Sequence, residues 1–256
     1  MSTPIAYVLS TRVVIKTLVD EAAERGVAVD QLSFIDIEPL RTEIGPLFER
    51  PLIAVFTSGN AVRSIGDTGG RDWKIFCTSG ATRQLAADHF GDRAIVGMAD
   101  SATALAAEII RLGPGLAGSG ATGSISGSAG RAGTGGRGMG SGVEVYFFCG
   151  DQRRDELPEL LKQAGIKVHE MVVYRMKLTP QEITRSYDGI AFFSPSTVES
   201  FFSVNKMAPE TAIFAIGETT AAAVRERCEN PMIIGDRPDA EALIRRMISY
   251  FEHKNS

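Results

Sequence analysis

The sequence predicts an α/β protein built from two similar domains with parallel sheets, joined by a two-stranded linker, with the first domain discontinuous in the chain. Three observations predict it. Short apolar runs rich in Val, Ile and Phe alternate with stretches of helical period, the grammar of parallel strands connected by crossover helices. Distant blocks of the chain resemble one another at a nearly constant offset. The surplus of glycine is local, since residues 113–142 hold 13 of the 27 glycines, so the other residues form an ordinary globular sequence.

Strands are expected at 5–9 (IAYVL), 53–57 (IAVFT), 74–77 (KIFC), 94–97 (AIVG), 143–148 (VEVYFF), 189–193 (GIAFF), 212–216 (AIFAI) and 232–234 (MII). Most precede a helix. After the first, Val14, Leu18, Ala22 and Ala23 recur at helical spacing, and Gly26 stands where a C-terminal cap belongs. Gly165 closes the helical stretch 155–164 in the same way.

IAVFTSGNAVRSI from Ile53 resembles IAFFSPSTVESFF from Ile190, an offset of 137, and IFCTSGATRQLAA from Ile75 resembles IFAIGETTAAAVR from Ile213, an offset of 138. The stretch from Tyr7 to Gly26 more weakly resembles that from Tyr146 to Gly165, an offset of 139. The unit that closes the middle block therefore opens the whole chain, which assigns 1–38 plus 176–256 to a split domain and 46–170 to an inserted one. The candidate connectors are the extended segments 36–44 and 168–178, with 39–45 and 171–175 as the linker strands. A single eight-stranded sheet is the alternative. Residues 113–142, whose charges are Arg131 and Arg137 alone, read as a Gly/Ser-rich disordered loop inside the inserted domain. Such a loop is expected to be dispensable, because closure entropy grows slowly with length.

With 27 basic and 31 acidic residues the net charge is −4, so no global positive field attracts nucleic acid or an anionic membrane. Neither a membrane-spanning apolar run nor a leader-like start is seen, and the default location is cytoplasmic. Cys77, Cys149 and Cys228 suit reduced thiols, and His89, His169 and His253 lack metal-binding spacing.

Ligands of parallel α/β sheets bind beyond the carboxyl ends of the strands. The turns expected there are rich in small hydroxyls: Ser10-Thr11-Arg12, Thr57-Ser58-Gly59-Asn60, Thr78-Ser79-Gly80-Ala81-Thr82, Cys149-Gly150-Asp151 with Arg153 and Arg154, Ser194-Pro195-Ser196-Thr197, and Gly217-Glu218-Thr219-Thr220. Any one of them would serve simply as a helix cap. Capping gives no reason for Arg12, Arg153 and Arg154, and a shared site for anionic groups does. Dinucleotide and phosphate-loop fingerprints are missing, and no Ser-His-Asp set stands out. Tyr174, in VVYRM, is the ionisable aromatic placed to face a cleft between the two expected domains, where a phenol can donate a proton. A tyrosine merely packed on a linker strand is the alternative.

FTSGNAV at 56–62, CGDQRRDELPELLKQAG at 149–165 followed by VVYRM at 172–176, FFSPSTVESFF at 192–202 and AIGETTAAAV at 215–224 together resemble uroporphyrinogen-III synthase, in that family's order. The resemblance implies two flavodoxin-like domains joined by a two-stranded ladder. It implies an enzyme that closes hydroxymethylbilane, a linear tetrapyrrole bearing carboxylates, to uroporphyrinogen III with inversion of ring D and loss of water, using no metal or organic cofactor. Loss of the terminal hydroxyl gives an azafulvene, attack at a substituted carbon gives a spiro pyrrolenine, and fragmentation and reclosure turn ring D over. The protein's main contribution would be a folded substrate pose.

By the same resemblance Tyr174 is the candidate acid for hydroxyl departure. Arg12, Ser58, Asn60, Thr82, Gly150, Arg154, Ser194, Ser196, Thr219 and Thr220 are candidate substrate-binding positions. Ser79 stands where the family usually has glycine, and 113–142 has no counterpart. The implied partners are the linear tetrapyrrole and a functional contact with porphobilinogen deaminase, with no nucleic acid and no membrane; the implied state is a monomer. Two other readings are a non-catalytic α/β module that binds a carboxylated or phosphorylated small molecule, and a sugar- or nucleotide-binding protein.

Overall fold

A computed structural model describes residues 3–40, 44–45, 47, 51–66, 72–117, 142–237 and 239–254. In chain order the elements are β1 (Ala6–Ser10), α1 (Lys16–Glu24), β2 (Val27–Gln31), β3 (Ile35–Pro39), β4 (Ile53–Phe56), α2 (Gly59–Ser64), β5 (Lys74–Thr78), α3 (Ala81–Phe90), β6 (Ile95–Ala99) and α4 (Ala102–Ala117). They continue with β7 (Glu144–Gly150), α5 (Glu156–Gln163), β8 (Lys167–Leu178), β9 (Gly189–Phe192), α6 (Pro195–Phe202), β10 (Ala212–Ala215), α7 (Glu218–Arg225), β11 (Met232–Ile234) and α8 (Ala240–Lys254). The chain divides into two compact units, Met1–Asp36 with Lys177–Ser256, and Ile37–Met176. It passes from one to the other within β3 and again within β8.

In the first unit the strands lie in the order β2-β1-β9-β10-β11, all parallel. This is the flavodoxin-like order, in which the first strand is central and its successor lies outside it. Alternation along the strands feeds both faces, as period 2 requires. Ala191 and Phe214 face α1 and α8, where they meet Leu18, Ala22 and Met247, while Ile190, Phe192 and Ile213 face α6 and α7, where they meet Val198, Phe201 and Val224.

The second unit has the order β8-β7-β4-β5-β6, again parallel, with β3 added outside β8. Taking β7 as the first strand recovers the flavodoxin-like order, so this unit is a circular permutation of the first. The offsets of 137, 138 and 139 pair β4 with β9, β5 with β10 and β7 with β1, strands that hold the same places in their sheets. Gly26 and Gly165 end the equivalent helices, both at φ +77°, where an L side chain would be strained. Ala54, Phe56, Tyr146 and Phe148 face α2 and α3; Val55, Val145 and Phe147 face α4 and α5. Trp73 stacks between Phe90 and Phe148, with ring centroids 5.5 and 5.4 Å away.

The added strand runs antiparallel to β8. Leu40 N donates to Val173 O at one end and Thr179 N donates to Phe34 O at the other. The extended segments are thus Ile35–Pro39 and the single long strand Lys167–Leu178, not 39–45 and 171–175. Strand β8 is long because its ladder with β7 is joined by a second ladder with β3. The strand Val27–Gln31 does not stand among the expected strands: it lies at the sheet's edge, only Val27 of its side chains is fully buried, and its apolar run, VAV, is three residues long. Helix α4 runs to Ala117, so the first residues of the stretch 113–142, expected as loop, are helical. Of the Gly/Ser-rich stretch, 118–141 lies outside the described residues.

Candidate functional site

In each unit the crossovers diverge at one pair of strands, and the crevice at their carboxyl ends is where ligands bind in this fold. The pair is β7 and β4 in the second unit, β1 and β9 in the first.

In the second unit three predicted residues converge on that point. Strand β7 ends at Gly150, and β4 is followed by Ser58, which caps α2 by accepting a 3.2 Å hydrogen bond from Asn60 N. The Tyr174 ring, carried on β8, crosses Gly150 to bring its phenol within 3.4 Å of Ser58 Oγ, to which it donates. A Cβ added at Gly150 would lie 2.5 Å from Tyr174 Cζ and 2.9 Å from its hydroxyl oxygen. Glycine at 150 is therefore required by the ring above it. Its φ does not lie in the left-handed region.

The ring's direction depends on an irregularity in β8. From Glu144 opposite Lys167 to Cys149 opposite Val172 the ladder advances evenly, and then Gly150 faces Tyr174, skipping Val173. With unbroken alternation Tyr174 would face α4 and α5, as Val168 does. The extra residue places it with Met171 and Val173 on the face of α2 and α3. Re-aiming a side chain is a recurrent use of such bulges.

The remaining predicted residues of this unit are placed differently. Asn60 is half-buried beside Ser58, and its Oδ1 accepts a 3.4 Å bond from Arg63. Thr82 is 8% exposed on the inner side of α3. Ser79 donates to the Asp100 carboxylate. Arg154 is exposed, whereas Arg153 is committed to Glu170 and Asp155. Burial pushes the Cys149 thiol up to about 11, so it stays protonated near neutrality.

Glu170 also accepts a 2.9 Å bond from Lys162, and that ammonium, with Arg153 behind it, holds the carboxyl below its usual range. A depressed folded pKa contributes stability that is present above the unfolded value, about 4.3, and is lost as pH falls through the folded one. We therefore expect Glu170→Gln to destabilise the protein at pH 7 by about 1 kcal/mol, the upper end for partly exposed pairs. Urea unfolding should show that difference shrinking below pH 4; an equal difference at pH 7 and pH 3 would refute the assignment.

In the first unit the turn after β1 is fixed from within. Thr11 N and Oγ1 both donate to Ala191 O, at 3.1 and 2.8 Å, and Ser10 Oγ donates to Arg12 O at 2.7 Å. Arg12 is exposed, with its guanidinium 5.3 Å from the centroid of the Phe193 ring just beyond β9. Ser194 caps α6 in a reciprocal box with Thr197, accepting from Thr197 N at 3.2 Å. Ser196 is half-buried, Thr219 is exposed and Thr220 is buried at the start of α7. The structure thus brings Arg12 and Ser194 to the β1 and β9 ends and puts Thr219 and Thr220 after β10. Among the described residues no cluster of three or more His, Cys, Asp or Glu could hold a metal ion, and no helix is long and apolar enough to cross a membrane.

Two sheets of flavodoxin-like order, with a tyrosine and helix-capping hydroxyls at the strand ends, define a two-unit α/β protein. The family model described as "Uroporphyrinogen-III synthase HemD" matches one stretch of the chain, residues 136–245. It contains β7, Gly150, Arg154, Tyr174 and the turns opening α6 and α7. Among solved structures, uroporphyrinogen-III synthetase from Helicobacter pylori is similar at a TM-score of 0.62 and 18% identity, covering 96% of this chain and 99% of that one. A mutant uroporphyrinogen III synthase from the extremely thermophilic bacterium Thermus thermophilus is similar at a TM-score of 0.54 and 14% identity, covering 97% and 99%. At these identities the likeness speaks for the fold. No curated protein matches the chain significantly in sequence.

Proposed function

We infer that the protein closes hydroxymethylbilane to uroporphyrinogen III, inverting ring D and releasing water, a step of haem biosynthesis. The observation that carries this reading is the family match over residues 136–245, which takes in the β7–β8 segment where Gly150 and Tyr174 meet.

The reaction needs departure of a hydroxyl and a pose that favours the rearranged ring. Departure of a hydroxyl as water requires a proton, and the Tyr174 phenol is a donor beside Ser58 at the switch point. We assign it the role of general acid. The substrate's carboxylates need donors, and we assign that role to accessible strand-end positions in both units, Arg12, Ser194, Ser196 and Thr219 in the first and Ser58, Asn60 and Arg154 with the Gly150 turn in the second; Thr82 and Thr220 are buried on the inner sides of their helices and are not among them. Charge-assisted bonds from Arg12 and Arg154 would be the stronger of these. With a net charge of −4 on the whole chain, such local donors must do the work. The same reading takes the protein to be a cytoplasmic monomer that receives its unstable substrate from porphobilinogen deaminase.

The test is direct. The deaminase generates hydroxymethylbilane in the presence of the protein, the products are oxidised, and type I and type III uroporphyrin are separated. Predominantly type III is expected. Type I alone would overturn the reading.

A further inference from the structure

We propose that Asp151 is a positioning residue for Tyr174, acting by holding β8 in the irregular register that aims the phenol. The inference rests on the function assigned above, in which Tyr174 is the acid.

The regular ladder of β7 against β8 ends at Gly150, opposite Tyr174, while β8 continues to Leu178. Asp151 supplies the next two bonds. Its backbone N–H donates to Tyr174 O at 3.1 Å, and its side-chain Oδ1 accepts from Met176 N at 3.1 Å. The residue thus grips β8 at Tyr174 and two residues beyond, just after the point where the register slips past Val173. A bulge leaves a strand locally under-bonded, and here the carboxylate takes the place of a missing rung. On the other side of β8, Leu40 N donates to Val173 O. The skipped residue and the tyrosine are thereby held from both neighbours. Without the Asp151 acceptor, Met176 N loses its partner and the backbone carrying the ring is free to relax toward regular alternation, which would turn the phenol away from Ser58.

The other carboxylate oxygen lies 4.0 Å from Arg175 Nε, and both side chains are partly exposed, so that pair contributes little. The acceptor matters more than the charge. Asparagine should therefore replace aspartate, and alanine should not.

We expect Asp151→Ala to lower kcat by about 10-fold, part of the range of a general acid, with KM within about two-fold. Asp151→Asn should stay near wild type. In a Tyr174→Phe background Asp151→Ala should cost little more, because residues acting through one another are non-additive. A second measurement needs no turnover: with ring-labelled tyrosine, the Tyr174 signal, assigned by its absence in Tyr174→Phe, should move in Asp151→Ala and return in Asp151→Asn. Should the alanine variant not fold, Asp151→Glu, which displaces the acceptor by one methylene, is expected to show the same loss and the same shift. Wild-type kcat in the variant that folds, an unmoved Tyr174 signal, a slow Asp151→Asn, or an undiminished loss in the phenylalanine background would each overturn the proposal. Failure of the underlying function is distinct: wild-type protein would then give only type I product, while the ring signal would still report whether Asp151 sets the tyrosine.

Discussion

Under the proposed function, replacing Tyr174 by Phe should lower kcat for uroporphyrinogen III formation by about 10–100-fold, the contribution expected of a positioned proton donor. Only one oxygen is removed. The ring still lies across Gly150 and against the α2 and α3 face, so the packing it provides survives. Among the described residues the bond lost is the 3.4 Å contact with Ser58 Oγ, too long to hold the fold together. Thermal unfolding should therefore be nearly unchanged while turnover collapses. Product composition gives a second reading, because slower enzymatic closure leaves more hydroxymethylbilane to close unaided to the type I isomer. A phenylalanine variant that turns over at the wild-type rate would remove Tyr174 from the chemistry.

Gly150→Ala is expected to approach the same loss by a different route. The added Cβ would sit 2.5 and 2.6 Å from Tyr174 Cζ and Cε2, and contacts that close do not persist. What yields is the far end of a rotatable side chain, and a χ change displaces the phenol at a cost of about 0.5–1.5 kcal/mol. Backbone strain adds nothing, since Gly150 is absent from the positive-φ residues. Activity should fall at least 10-fold, as expected when a catalytic group moves by about 1 Å, while the urea midpoint changes little. The discriminating measurement is the double variant. With Tyr174→Ala already in place there is no ring to displace, and Gly150→Ala should then be nearly silent in both stability and rate. A large further loss in that background would mean that Gly150 does more than make room for the ring, with the substrate-binding role proposed for its turn then sensitive to the added Cβ itself.

Much of the fold was legible because its signals are local. The runs IAVF and GIAF are buried on every residue, which marks central parallel strands. Gly26 and Gly165 mark helix ends because φ near +77° favours glycine. The turn chemistry was legible in the same way: Ser58 and Ser194 both cap helices, and Ser194 with Thr197 forms a reciprocal box. Partnership was not legible. Arg153 and Arg154 are adjacent and chemically identical, yet one is bound to Glu170 and Asp155 and the other stands exposed. Thr219 and Thr220 likewise split into an exposed and a buried side chain, as neighbours on a helix must. Asp151 lay in plain view within CGD, but nothing in its sequence neighbourhood marks it as an acceptor for Met176 N.

By itself the sequence determined the alternation of strands and helices, the internal repeat whose two copies are circularly permuted, and the confinement of the glycine surplus to residues 113–142. Those properties follow from side-chain periodicity and backbone preference, which act within about a dozen residues. Only the tertiary structure decided that β8 skips a residue at Val173, that Tyr174 consequently turns to the face of α2, and that its phenol meets a serine 116 positions earlier in the chain. Register depends on the fit between strands, and a one-residue slip reverses which face a side chain occupies. The aim of the tyrosine is therefore set by pairing, and the sequence around it records the residue without its direction.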